Sequence, residues 1–358
     1  MHQEFRVCAL EDLGALRFQG AEAVRFLQGQ LSSDVLHLAP ERSLLAGYHN
    51  PQGRTIALLR LVHLGADDVL AILPRELAAP VAQRLAKFVL RTKVVIRDDS
   101  AQWRIDGLIC EMSEGVSPGT SALPLPAGAQ RRFGETAVVC VGESPARWLE
   151  LSPLTQPRQP KGPDPGAANG LELSPLTQPR QPKGPDPGAA NGLELSAQVS
   201  SPTQTPAGGQ PALPPAAPAS RERWRELDVR AGLPQVYAPT SEQFVAQMLN
   251  LDAIGAIAFD KGCYTGQEVI ARAHYRGRVK RRLQRFLSRG PLALAPGDTG
   301  SLPDGRSFTV VEAARLADGR CEFLAVARLP GAEPESGGAE AAASVDAQPL
   351  PLPYPLPE

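Results

Sequence analysis

Cysteine is scarce in this chain, and none of its five copies (Cys8, Cys110, Cys140, Cys263, Cys321) sits in a CxxC pair or beside a histidine-rich run. Sparse, scattered and odd in number, they argue against a disulfide framework and against a Cys-ligated zinc or cluster site, and no metal ligand set is assigned. An excess of charge is lacking too. Against 38 Asp and Glu stand 37 Lys and Arg, a formal net charge of −1, so no global field points to nucleic acid or to a membrane. Nowhere do about 18 apolar residues run together, so no bilayer-spanning helix is expected. The opening MHQEFRVCALEDLG has no basic stretch followed by an apolar one, and no secretory signal is read there. The expectation is a soluble, cytoplasmic protein of a reducing compartment.

Aromatic residues and cysteines vanish between Trp148 and Trp224. Residues 149–170, LELSPLTQPRQPKGPDPGAANG, recur unchanged at 171–192 with five prolines per copy, and a third LELS fills 193–196. Stacked copies would have no apolar face to bury, so this is no solenoid. Residues 149–220 read instead as a duplicated, Pro-rich linker or insertion, expected to be disordered. One LELS copy is expected to pair as a strand after Trp148; the pattern does not say which. The tail, 331–358, is again low in complexity and ends in PLPYPLPE.

What remains, about 260 residues, can bury a substantial core. Phe5–Ala9 and Ala15–Phe18 read as strands, and Val24, Leu27 and Leu31 recur at helical spacing. LLAGYHN and RTIALLRLVHL, joined by Pro51-Gln52-Gly53, predict a hairpin, and VLAILP a further strand. Leu77, Val81, Leu85 and Phe88 define one helical face, and VVIRD and WRIDGLIC two more strands. Beyond Arg281, LQRFLS, SFTVVEAARL and CEFLAVARL are punctuated by Asp-Gly-Arg turns at 304–306 and 318–320. Hairpins mixed with helices give an α+β class. The expected parts are an N-terminal α+β region (1–148), the insertion (149–220), a continuation of the α+β region (221–280), a C-terminal antiparallel β-barrel or sandwich (281–330) and the tail (331–358).

The chemistry concentrates in AFDKGCYTGQEVIARAHYRGRVKRR, residues 258–282. Thr265-Gly266-Gln267-Glu268 has the pattern of a capping box, predicting a helix that runs through Val269, Ile270 and Ala273, and capping alone would account for Glu268. Cys263 precedes that cap and lies close to Lys261, a positive setting that favours thiolate, although an inert buried thiol is the commoner state. Gly262 and Gly266 permit close backbone approach or positive φ. No partner base is assigned, since His274 would stand roughly 14–16 Å along the helix. From Val269 to Gly297 no acid relieves Arg272, Arg276, Arg278, Lys280, Arg281, Arg282, Arg285 and Arg289. Such a run suits a small anionic ligand better than RNA, because aromatic residues to stack bases are few.

Asp260-Lys261-Gly262-Cys263-Tyr264-Thr265-Gly266-Gln267-Glu268 resembles the signature of the YgfZ family, folate-binding relatives of the glycine-cleavage T-protein. QGQLSSDV (28–35), the stretch from Arg223 to Gly262 and the terminal PLPYPLPE also resemble that family. The resemblance implies a GcvT-like ring of three subdomains ending in a β-barrel, around a cavity for tetrahydrofolate or a derivative. It implies a folate-binding accessory role in assembly or repair of iron–sulfur proteins and thereby in tRNA modification. Partners would be folate, iron–sulfur proteins or their assembly factors and, on weaker grounds, tRNA. Trp224 matches a folate-contacting tryptophan; Asn250, Asp252 and Arg230 are further polar contacts, joined by Lys261, Gly262, Tyr264, Gly266, Gln267, Glu268 and Arg272 around a functional thiol, Cys263. The chain departs from the pattern at Leu13 and Ala246. It also lacks an acid from Arg54 to Ala66, where aminomethyltransferases carry a carboxylate pair and this chain has Ala57 and Leu58. That absence ranks an active one-carbon transferase or demethylase below the accessory role, with an RNA-binding protein behind both.

Overall fold

A computed structural model describes residues 4–111, 127–154, 216–277, 279–330 and 344–357. The chain divides into two units, residues 1–158 with 213–358 and residues 159–212. The second unit lies outside the described residues, as do most of the expected insertion, much of the tail and Arg278.

In the first unit the chain moves between two sheets before building a third. After β1 (Glu4–Ala9) come β2 (Leu13–Gln19), α1 (Ala23–Gln30), β3 (Leu44–His49), β4 (Thr55–Gly65), β5 (Asp68–Pro74), α2 (Arg75–Ala86) and β6 (Val95–Asp98). Next are β7 (Trp103–Glu111), β8 (Gln130–Phe133), β9 (Thr136–Glu143), β10 (Ala146–Pro153) and β11 (Ala216–Pro218). Helices α3 (Arg221–Arg230) and α4 (Gln267–Arg276) flank a long irregular stretch, and β12 (Arg281–Pro291), β13 (Thr299–Ser301), β14 (Ser307–Arg315), β15 (Arg320–Arg328) and β16 (Ala347–Leu350) finish the chain. The strand orders are β11-β1-β7-β10-β9-β8, β3-β4-β5-β2-β6 and β13-β14-β15-β12-β16.

The expected hairpin is present: β3 and β4 pair antiparallel around Gly53, whose φ of +71° only glycine adopts freely. The first LELS copy is part of β10, between β7 and β9. Leu77, Val81 and Leu85 are buried along α2, but Phe88 lies past its end and is 48% exposed, because the helix stops at Ala86. The strands TAVVCVGE and QRRF were not read from the sequence. In the third sheet the two Asp-Gly-Arg turns form, with each Asp accepting from its Arg. The expected barrel is met only as a five-stranded antiparallel sheet. A single parallel bridge, Ser301–Ser344, links its edges, with the Val345 N–H donating to the Ser301 carbonyl at 2.8 Å.

One core joins the second sheet, α1 and α2 to Leu249, Leu251, Tyr264, Ile270 and part of the third sheet. Another packs Trp224 and Leu227 of α3 against Ile105 and Ile109 of β7 and against Ile72 of β5. These two cores place the two regions of functional interest on different parts of the unit.

Candidate functional site

The Lys261–Glu268 segment runs along the end of α1. The last carbonyls of a helix lack intrahelical donors and carry partial negative charge. The Lys261 ammonium donates to three of the carbonyls around that end: Gln28 at 2.7 Å, Leu31 at 2.6 Å and Ser33 at 2.9 Å. Two stretches singled out in the sequence, 28–35 and 260–268, are thus joined by one side chain. Burial pulls Lys261 down to about 8, partly offset by the charge of Asp34. Its three N–H donors are all engaged by these carbonyls, which gives Lys261 a structural partner set of its own.

The helix that follows begins one residue later than the capping box implied. Gly266 is the N-cap, with φ of +84° and no side-chain cap bond. A Cβ there would stand 2.5 Å from the Asn50 carbonyl, so the loop closes backbone to backbone on the β3–β4 turn and the cap position demands glycine. Gly262 meets no such constraint, with open space around its Cα. Glu268 is exposed and pairs with Arg272 at 2.8 Å, one turn on, instead of reaching back. Gln267 makes one long contact, 3.5 Å, to the Lys261 carbonyl. Tyr264 is buried, its ring 6.3 Å from that of buried His49, and burial pushes its hydroxyl up to about 12. Cys263 is exposed, while Cys8, Cys110, Cys140 and Cys321 are buried.

Part of the acid-free run is neutralised from elsewhere in the fold. Arg282 is buried and holds Asp252 through both oxygens at 3.0 Å, together with the Gln247 carbonyl and Asn250 Oδ1. Asn250, at φ of +55°, donates to the Leu283 carbonyl at 3.0 Å. Arg285 pairs with Glu322 at 2.5 Å and Arg289 with Asp346 at 3.3 Å. Arg230 ties α3 to the third sheet through Glu322 and also pairs with Glu226 one turn back in the helix. Asn250, Asp252 and Arg230, read from the sequence as ligand contacts, thus have structural partners in the fold. The run also gains aromatic company that spacing hid: Phe259 stacks on His274 at 3.8 Å, and Tyr275 meets His274 edge-on at 4.7 Å.

Trp224 stands elsewhere, lining a cleft of about 820 Å³ with its open mouth included, whose lining takes no residue from 261–268. Its ring lies where a Cβ at position 107 would be, 2.4 Å from Cε3, so Gly107 of β7 sets the indole flat against the sheet. The Arg147 guanidinium stands 5.2 Å from the ring. Leu10, Leu13, Leu58 and Ile72 complete an apolar wall. Against it converge Asp228, Glu312, Tyr237, Arg225 and Arg60, none of them read as site residues from the sequence. Arg147 donates to Asp228 at 2.6 Å, and Tyr237 donates to Glu312 at 2.5 Å. Burial raises Asp228 against the pull of Arg147. Burial likewise lifts Glu312 to about 7, against its bond from Tyr237 and the charge of Arg225. An apolar wall facing one buried carboxyl, Glu312, and the half-buried Asp228, Arg225 and Arg60 suits a flat heterocycle with an edge of N–H donors. The absence of acids from 54 to 66 therefore does not leave the cleft without carboxyls: α3 and β14 bring them.

Among the described residues no three His, Cys, Asp or Glu side chains converge as metal ligands, and no helix is long and apolar enough to cross a membrane. The chain matches no family model. It is 26% identical over 318 residues to the tRNA-modifying protein YgfZ of Cronobacter sakazakii (strain ATCC BAA-894), spanning 87% of this chain and 81% of that protein. With the protein of the same name from Escherichia coli (strain K12) it shares 28% over 317 residues, 87% of this chain and 82% of the relative. Among solved structures, glycine cleavage system aminomethyltransferase T from Bartonella henselae aligns with a TM-score of 0.54 at 10% identity, covering 90% of this chain and 78% of that one, a likeness of fold alone. The resemblance carried by the 260–268 motif thus extends over most of the chain.

Proposed function

We propose that this relative of the YgfZ proteins binds a reduced folate in the Trp224 cleft and serves, from the cytoplasm, as an accessory protein for iron–sulfur proteins and thereby for tRNA modification. The supporting observation is the pair of carboxyls, Asp228 and Glu312, that faces the apolar wall of the cleft. A pterin presents adjacent N–H donors on its pyrimidine edge, the pattern a carboxyl such as Asp228 or Glu312 accepts, and its flat face suits Trp224. The three sheets correspond, in this reading, to the three subdomains of a T-protein-like ring, the third derived from a barrel. Bound tetrahydrofolate would supply one-carbon chemistry; the protein's own groups bind, orient and exclude water. Cys263, exposed and apart from the cleft, is left to meet a partner's sulfur or iron. Calorimetry of the purified protein against a panel of reduced folates tests the reading. Saturable binding that Trp224→Ala removes is the expected result, and absence of binding by every reduced folate overturns it.

The reading of an aminomethyltransferase-like enzyme gains one observation. Glu312, lifted to about 7 inside the cleft, has the proton affinity a general acid–base group needs at neutral pH. Turnover of aminomethyl-bearing substrates with tetrahydrofolate, lost in Glu312→Gln, would favour the enzyme over the accessory protein.

A further inference from the structure

Arg60 interrupts an apolar run, Ile56 to Val62, in the middle of β4. Its side chain lines the Trp224 cleft and also a second cavity bordered by Arg42, Gly128 and Ile254. The two cavities share Leu45, Arg60, Val141 and Leu233, and Arg60 is the one charged residue that borders both. The side chain is deep inside the unit yet keeps accessible surface, because that surface faces the cavities.

The other charges of the cleft are matched. Arg147 is spent on Asp228 at 2.6 Å, Arg225 on Asp12 at 3.0 Å with Arg221 3.9 Å from the same carboxylate, and Glu312 accepts from Tyr237. Arg60 alone makes no hydrogen bond or ion pair among the described residues. Burial pulls it down to about 10, with Asp228 attracting and Arg147 repelling, so it stays charged at neutral pH. Arg60 is half-buried and none of its nitrogens is sealed from solvent, so its five N–H donors open into the cavities and are free to take an anionic ligand.

We infer that Arg60 is the seat of a carboxylate of the ligand, held by the guanidinium fork where it borders both cavities. The inference rests on the folate reading, in which the ring lies against Trp224 and a glutamate carboxylate ends at Arg60. The planar guanidinium fork matches a planar carboxylate through two parallel N–H···O bonds.

The test compares tetrahydrofolate with a tetrahydropterin lacking the aminobenzoylglutamate, on the wild type, Arg60→Met and Arg60→Lys, by calorimetry. Arg60→Met is expected to weaken tetrahydrofolate about 10–100-fold and to leave the tetrahydropterin unchanged, with Arg60→Lys between. Without ligand, Arg60→Met is expected to melt at or above the wild-type temperature, since no hydrogen bond or ion pair among the described residues is lost with the guanidinium. Equal losses for both ligands, unchanged tetrahydrofolate affinity, or a lower melting temperature of ligand-free Arg60→Met would overturn the carboxylate seat while the folate reading stands. Failure of the wild type to bind either ligand would instead remove the folate reading, and this inference with it.

Discussion

In the Trp224 cleft one charged group, Arg60, is left without a protein partner among the described residues, whereas in the Lys261–Glu268 segment charge is spent on backbone and neighbours. Glu312 and Asp228 are lifted by burial. Lys261 is buried as well, but three carbonyls satisfy it. The contrast separates two meanings of buried charge. A satisfied ion holds architecture together; an unsatisfied one in a cleft marks where a ligand completes the site. By that criterion the motif segment is a clasp carrying an exposed thiol, and the cleft is the place we propose for the ligand.

Substitutions on each side can break the comparison. The largest expected effect is at Trp224. Trp224→Ala should cost about 3–5 kcal/mol in urea denaturation, because a large buried ring leaves a cavity, and should abolish reduced-folate binding. Lys261→Met should cost about 2–3 kcal/mol, the scale of losing hydrogen bonds to a charged group offset by relief of its burial, while the affinity for folate stays at the wild-type value. A parallel loss of folate affinity would merge the two regions into one site.

Glu312→Gln probes the cleft through pH. The folded state raises this carboxyl from 4.5 to about 7, so the folded protein binds the proton more tightly than the unfolded chain. Its contribution to stability is fully present below about 4.5 and is lost as pH rises through about 7. The melting temperature of Glu312→Gln relative to wild type should therefore climb between those pH values; a constant difference would contradict the buried, protonated carboxyl. The smallest stability effect belongs to Cys263→Ser, within about 0.5 kcal/mol as for other exposed positions. Folate affinity should be unchanged, yet complementation of an iron–sulfur defect should fail. Normal complementation would leave the thiol without a role.

Local pattern made the hairpin at Gly53, the turns at Gly305 and Gly319 and the buried stripe of α2 legible, since each depends on neighbours in the chain. The capping box failed for a nonlocal reason: the Asn50 carbonyl takes the space at position 266 that any Cβ would need. The basic run looked unrelieved because Asp252, Glu322 and Asp346 lie outside it and meet it only in the fold. Arg60 did leave a signal, a lone guanidinium in an apolar strand, but nothing nearby in sequence explained it. Which LELS copy forms a strand was undecidable from identical repeats. Following Trp148 directly, the first copy continues the ladder between β7 and β9.

By itself the sequence determined the periodicities that make these strands and helices, the turn glycines, the 260–268 motif and the likeness it carries. Tertiary structure alone decided which charges are matched and which cleft they face, bringing Arg60, Asp228 and Glu312 together from β4, α3 and β14. The reason is range. Propensity and turn chemistry act over a few residues, whereas desolvation and ion pairing depend on groups that only the folded chain brings within a few ångströms.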